Sequence, residues 1–200
     1  VAPRRTDLVV DFCAGAGGKT LALGALMRSQ GRLYALDVDP KRLARLKPRL
    51  ARSGLSNVQP EEIAHERDSR VKRLAGKADR VLVDAPCTGT GTLRRNPDLK
   101  WRHDEAALAE LTAKQASILD AAAKLVKPKG RLVYATCSLL PDENERIVEA
   151  FLAAHPDFHV VDAAKELARA KIALDTGPVL KLAPDTHGCD GFFAAIVERD

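Results

Sequence analysis

Short apolar runs of strand length alternate along this chain with stretches in which apolar residues recur every three or four positions. Leu8-Val-Val-Asp-Phe-Cys13 is the first run. After a glycine turn, Leu21, Ala22, Ala25 and Leu26 form one helical face. Arg32 to Asp37 predicts a second strand. The helix after it has Asp39 as N-cap, Pro40 at its first position and Gly54 as its stop, with Leu43, Leu46 and Leu50 facing inward. Pro48 falls inside that helix, where a missing donor and a ring clash predict a kink or a helix in two pieces. Val58 to Ile63 reads as a weaker third strand, followed by Asp68 in a polar loop and a short helix around Val71 to Leu74. Arg80 to Val83 is a fourth strand. A long helix from about Asp104 to Val126 turns Leu108, Leu111, Ile118, Leu119, Ala122 and Leu125 inward, with Pro128 and Gly130 as its end signals. Arg131 to Cys137 is the fifth strand, and Pro141 opens the next helix. Phe158 to Val161 and Gly191 to Val197 are the sixth and seventh strands, with a helical-looking segment from Ala163 to Leu174 between them.

Strands alternating with helices predict an α/β fold: a Rossmann-like, doubly wound sheet of about seven strands, mostly parallel with an antiparallel last strand, in one domain over residues 1–200. The composition, 46% hydrophobic, supplies a core, and 32 Lys+Arg against 27 Asp+Glu gives a net charge of +5 that suits an acidic partner such as nucleic acid. The four cysteines stand far apart with no C-x-x-C pair, which argues against a zinc site and a disulfide framework. No apolar run is long enough for a membrane span, and no secretory leader is visible. A cytoplasmic, monomeric protein with neither membrane nor metal is the expectation.

In open α/β sheets, ligands bind beyond the carboxyl ends of the strands, so the residues there carry the chemistry. The turn Cys13, Ala14, Gly15, Ala16, Gly17, Gly18, Lys19 follows the first strand. It misses both the P-loop and the dinucleotide pattern by one residue, and what remains is a glycine turn that lets a ligand approach a helix N-terminus. Lys19 is placed to hold a carboxylate. Asp37 ends the second strand where a ribose-binding acid sits in nucleotide-binding folds, Asp68 follows the third, and Asp84 ends the fourth. Each acid alone reads as a solvated strand-end carboxylate; together they suggest an adenosyl ligand without the phosphates of NAD or ATP, and S-adenosylmethionine fits. Cys87 and Cys137 both follow strand ends, where two thiols are difficult to explain as packing. None of the five histidines has an obvious relation to either. Arg94, Arg95, Lys100, Trp101 and Arg102 join the fourth strand to the long helix and suit phosphate contact with a stacking platform; the plain alternative is a basic loop pinned by a half-buried Trp.

The stretches Asp11–Thr20 (DFCAGAGGKT), Ala35–Asp39 (ALDVD), Asp84–Trp101 (DAPCTGTGTLRRNPDLKW), Ala135–Glu145 (ATCSLLPDENE) and Asp190–Ala195 (DGFFAA) resemble the RNA (cytosine-5) methyltransferases of the Sun/Nop type, above all the bacterial 16S ribosomal RNA enzymes. The resemblance spans nearly the whole chain, and departs where Ala16 replaces a common Pro. It implies a class I methyltransferase fold and S-adenosylmethionine contacts from the Cys13 to Lys19 turn, Asp37, Asp68 and Asp84. It also implies Cys137 as the nucleophile and Cys87 as the thiol assisting release, with Asp84 at the ring nitrogen of a single-stranded or loop cytosine in ribosomal RNA. Residue position agrees with that order of the thiols: Asp84, three residues before Cys87, disfavours a thiolate there, and a helix opening at Pro141 favours one at Cys137. The family's N-terminal RNA-binding region is not visible in these 200 residues, so a catalytic domain alone is expected. Transfer RNA as substrate, a truncated RNA- or cofactor-binding module with little turnover, and a DNA cytosine methyltransferase are the competing readings. The second cysteine and the RRNPDLKW run favour RNA over DNA.

Overall fold

A computed structural model describes all 200 residues. Its eight strands are β1 (Leu8–Asp11), β2 (Arg32–Asp37), β3 (Val58–Glu62), β4 (Ala78–Asp84), β5 (Val126–Thr136), β6 (Phe158–Val161), β7 (Leu180–Leu182) and β8 (Phe192–Arg199). They form a mostly parallel mixed sheet in the order β3-β2-β1-β4-β5-β8-β6, with β7 added to β8. The helices are α1 (Gly18–Leu26), α2 (Pro40–Ser53), α3 (Ser69–Lys72), α4 (Glu105–Ala123), α5 (Glu145–Ala154), α6 (Ala163–Arg169) and α7 (Pro184–His187). No helix is long and apolar enough to cross a membrane. By packing the chain falls into two compact units. The first is residues 1–84, 121–132 and 199, and the second is 85–120, 133–198 and 200.

In the first unit β1 lies between β2 and β4 and pairs in parallel with both. A strand covered on both faces needs a continuous apolar run rather than alternation, and Val9 and Val10 are fully buried. β3 pairs in parallel with β2 and ends the sheet. Its sequence, Val-Gln-Pro-Glu-Glu, is tolerable there because an edge strand can accept Pro60, which has no N–H to give.

Pro48 does not divide the second helix. α2 runs unbroken from Pro40 to Ser53, with the Asp39 side chain capping Lys41 N and Arg42 N, Gly54 in the left-handed conformation at its end, and Leu43 and Leu46 buried. Two caps and a packed stripe hold the helix through the one donor that proline removes.

In the second unit β8 pairs antiparallel with the short β7, the strand that the sequence pattern missed. Three residues with no fully buried side chain carry too little periodicity to be seen. The long helix also ends earlier than expected. Helix α4 stops at Ala123, and Val126 to Gly130, including the expected end signals Pro128 and Gly130, already belong to β5. The residue between those two signals, Lys129, adopts φ 61°.

Candidate active site

In the first unit, the ends of β1, β2 and β4 bring the glycine turn, Asp37 and Asp84 to adjacent strands. Asp37 is buried, and its carboxylate accepts from Gly15 N at 2.7 Å and from Asp39 N at 2.8 Å, so it is tied to the turn that it faces. Gly17 takes φ 83°, and a Cβ there would lie 2.1 Å from Leu46 Cδ1; the residue is required both by its backbone and by the close approach of α2. At Gly15 and Gly18, by contrast, a Cβ would meet nothing within 4 Å. Helix α1 starts with no side chain capping its first turn. Open space over an uncapped helix start fits a ligand resting on the turn. Ala14 lies buried within the turn, while Cys13 and Ala16 are half-buried. Arg49 from α2 donates to Ala16 O at 2.8 Å.

Lys19 donates to Asp84 Oδ2 at 2.7 Å. Asp84 therefore carries a cation beside it. Asp68 caps α3: Ala64 N donates to one carboxylate oxygen at 2.9 Å and Arg70 N to the other at 2.8 Å. These backbone bonds, Ala64 first, hold its carboxyl below the ordinary aspartate value. Asp11, at the end of β1, has no exposed surface. Thr20 Oγ1 donates to its Oδ2 at 2.7 Å, while Oδ1 has no hydrogen-bond partner. Burial, opposed by the Thr20 bond, pushes its carboxyl up to about 7.

In the second unit, Cys87 Sγ and Cys137 Sγ lie 3.4 Å apart. The hydrogen bond with Cys137, and after it burial, pushes the Cys87 thiol well above its ordinary range. The loops behind them close on each other through backbone. Gly91 N donates to Cys137 O at 2.9 Å and Gly191 N to Gly91 O at 2.8 Å. A Cβ on Gly91 would lie 2.4 Å from Gly191 O and 2.8 Å from Cys137 O. The helix expected to open at Pro141 starts later, at Glu145, with Pro141 in a turn before it. No helix N-terminus therefore stands at Pro141.

The basic segment is partnered within the chain. Both Arg94 and Arg95 reach Asp190, Arg102 pairs with Asp98, and Lys100 sits over the Trp101 ring at 4.9 Å. Trp101 is 81% exposed rather than half-buried. A cleft of about 330 Å³ lies beside this segment, lined among others by Thr88, Thr90, Lys100, His103 and Leu140.

The sequence pattern did not reveal Glu143. It is fully buried, and its carboxylate accepts from Thr88 N and Gln115 Nε2, both at 2.9 Å, and from the hydroxyls of Thr88 and Ser138, both at 2.5 Å. Its signal was only its place in the Pro-Asp-Glu-Asn-Glu run, where an acid ordinarily faces solvent.

Residues 1–198 match the profile of a family described as 16S rRNA methyltransferase RsmB/F. A protein of Synechocystis sp. described as a probable ribosomal RNA small subunit methyltransferase B is 39% identical over 197 residues, which is 98% of this chain and 44% of that protein. One of Bacillus subtilis with the same description is 36% identical over 207 residues, covering 98% of this chain and 44% of its own length. The crystal structure of PH0851 superposes with a TM-score of 0.90 at 38% identity, over 99% of this chain and 44% of that one. NSun6 from Pyrococcus horikoshii, solved with the S-adenosylmethionine analogue SFG, superposes with a TM-score of 0.83 at 26% identity, over 98% of this chain and 49% of that one. The chain spans less than half the length of these relatives.

Proposed function

The chain belongs to the RsmB/F family of 16S rRNA methyltransferases, and from that premise we propose that it methylates carbon 5 of a cytosine in ribosomal RNA through a cysteine adduct. The observation that carries the reading is the pair of sulfurs, Cys87 and Cys137, at 3.4 Å. S-adenosylmethionine supplies a methyl group activated as a sulfonium. The residues that would hold it are the Cys13 to Lys19 turn with its open glycines, Asp37 and Asp68.

Carbon 5 of cytosine is a poor nucleophile. The Cys137 thiolate adds to carbon 6, forming a C–S bond and driving the ring's electron pair onto carbon 5, which can then take a methyl group. Loss of the carbon 5 proton and expulsion of the thiolate restore the ring. Two sulfurs in contact hold one negative charge far more readily than two. One of the two sulfurs therefore carries the charge while the other stays protonated beside it, and the resemblance to the Sun/Nop enzymes assigns the charge to Cys137 and the proton to Cys87. Asp84, three residues upstream of Cys87, is assigned to the ring nitrogen: its carboxyl passes a proton there as the thiolate adds, which cancels the charge of the adduct, and Lys19 holds the carboxylate that is left. The target base must leave its stack to be reached, which favours single-stranded or loop RNA. Arg94, Arg95 and Arg102 give phosphate contacts once RNA displaces their internal acids, Lys100 adds a further cation beside the Trp101 ring, and Trp101 offers a stacking surface.

The test is transfer from isotope-labelled S-adenosylmethionine by the intact protein to 16S rRNA and, in parallel, to transfer RNA, followed by digestion to nucleosides. The expected product is 5-methylcytidine in the 16S rRNA. Label on another atom or base would contradict the carbon 5 assignment, and label confined to transfer RNA would favour the alternative substrate.

A further inference from the structure

Thr88 and Ser138 are the residues immediately after Cys87 and Cys137, and both end on Glu143. The same carboxylate accepts from Gln115, whose Nε2 also donates to Pro86 O at 2.9 Å, so the residue before Cys87 is tied in as well. Glu143 is itself held from behind. Tyr134 Oη donates to its backbone carbonyl at 2.6 Å, and its neighbour Asn144 donates to Ser138 O at 3.0 Å while accepting from Thr136 Oγ1 at 2.5 Å. Thr88, Gln115, Tyr134, Thr136, Ser138 and Asn144 are all buried, and the acid has no exposed surface.

We propose that Glu143 is a positioning residue: by holding the residue that follows each cysteine, it sets the separation of the two thiols. The inference rests on the reading that both thiols serve one reaction. Its physical basis is the asymmetry of buried polar groups. A buried carboxylate that loses its donors carries a large desolvation penalty, so any drift of the Cys87 loop or the Cys137 loop that breaks one of these bonds is opposed. Neither loop is fixed by regular structure at that point: β4 ends at Asp84 and β5 at Thr136. Beside the backbone bond from Gly91 N to Cys137 O, the acid adds side-chain bonds at the position next to each sulfur.

Thiol separation can be read without RNA or cofactor. Limiting diamide accepts two electrons and two protons as the Cys87–Cys137 disulfide forms, and mass spectrometry of the linked peptide separates it from products of Cys13 and Cys189. In folded Glu143→Ala, closure should slow by roughly tenfold or more, since small misplacements of reacting groups have effects of that order or larger. Glu143→Gln, which keeps a carbonyl acceptor, should recover to within a few-fold of wild type. In the methyl-transfer assay the same substitution to Ala should lower kcat with KM for RNA unchanged. Unchanged closure in folded Glu143→Ala overturns the proposal. If Glu143→Ala does not fold, Ser138→Ala decides: slower closure supports the role and unchanged closure refutes it. Slowed closure together with methyl transfer that survives Cys137→Ala would leave Glu143's positioning intact and remove the cysteine-adduct reading instead.

Discussion

Two acids in this chain are buried to the last square ångström, and they are supplied with donors in opposite ways. Asp11, at the end of β1, has one donor, Thr20, and an oxygen with no partner. Glu143, in the turn before α5, takes four hydrogen bonds from three residues. Burial costs a carboxylate its hydration in both places, and only at Glu143 is that loss made up by protein donors. The Asp11 carboxylate therefore keeps an unused acceptor, while that of Glu143 is fully engaged and the unused acceptor beside it is Gln115 Oε1.

Removing the two charges should have opposite signs. The Asp11 carboxyl is raised from 3.8 to about 7, which at about 1.4 kcal/mol per tenfold in proton affinity corresponds to a penalty near 4 kcal/mol. That penalty is absent below the unfolded value, grows as pH rises from about 4 to 7, and is complete above 7. Asp11→Asn, which can still accept from Thr20, should raise stability in urea melts by up to that amount at pH 8 and by clearly less at pH 5. Glu143→Gln should lower stability by about 2 kcal/mol at either pH, because hydrogen bonds to a charged acceptor are weakened and one donor–donor clash is introduced. A stabilising Glu143→Gln, or a pH-independent Asp11→Asn, would erase the contrast.

Glycines sharpen the same comparison. Gly91→Ala drives a Cβ into two backbone carbonyls that have no room to move and should destabilise the thiol region by about 3 kcal/mol. Gly15→Ala meets open space and bears only the left-handed backbone cost, about 1 kcal/mol.

Much of this was legible in the sequence, and the exceptions share a cause. β1, β2, β4 and the capped α2 were readable because apolar periodicity and Asp39, Pro40 and Gly54 act locally. The α4–β5 boundary was misplaced because Pro128 and Gly130 are breakers in a helix and tolerated in a strand start, and nothing local tells which. Asp37 and the two cysteines could be found from their places at strand ends. Glu143 could not, because its meaning lies in Thr88, 55 residues away, and in Gln115. Side-chain networks that close across the chain leave no period behind.

Smaller effects follow where the ligands bind. Asp37→Ala should weaken S-adenosylmethionine binding by about tenfold in calorimetry, or about 1.4 kcal/mol; equal affinity would remove Asp37 from the cofactor site. RNA affinity should fall steeply with salt. Charge reversal at Arg94 and Arg95 should reduce the slope by about one for each phosphate that is no longer neutralised. Because both arginines already pair with Asp190, a small change in slope is expected at low salt, and no change at any salt would place the RNA elsewhere.

The central claim is that the two touching sulfurs have different tasks, and covalent capture of RNA reads it most directly. The intact protein and its Cys137→Ala and Cys87→Ala variants are incubated with substrate RNA and S-adenosylmethionine, then run on a denaturing gel. Cys137→Ala should give neither methylated RNA nor a protein–RNA band. Cys87→Ala should attack and methylate but release slowly, so that a stable protein–RNA band accumulates. A band in Cys137→Ala and none in Cys87→Ala would reverse the two roles and contradict the account.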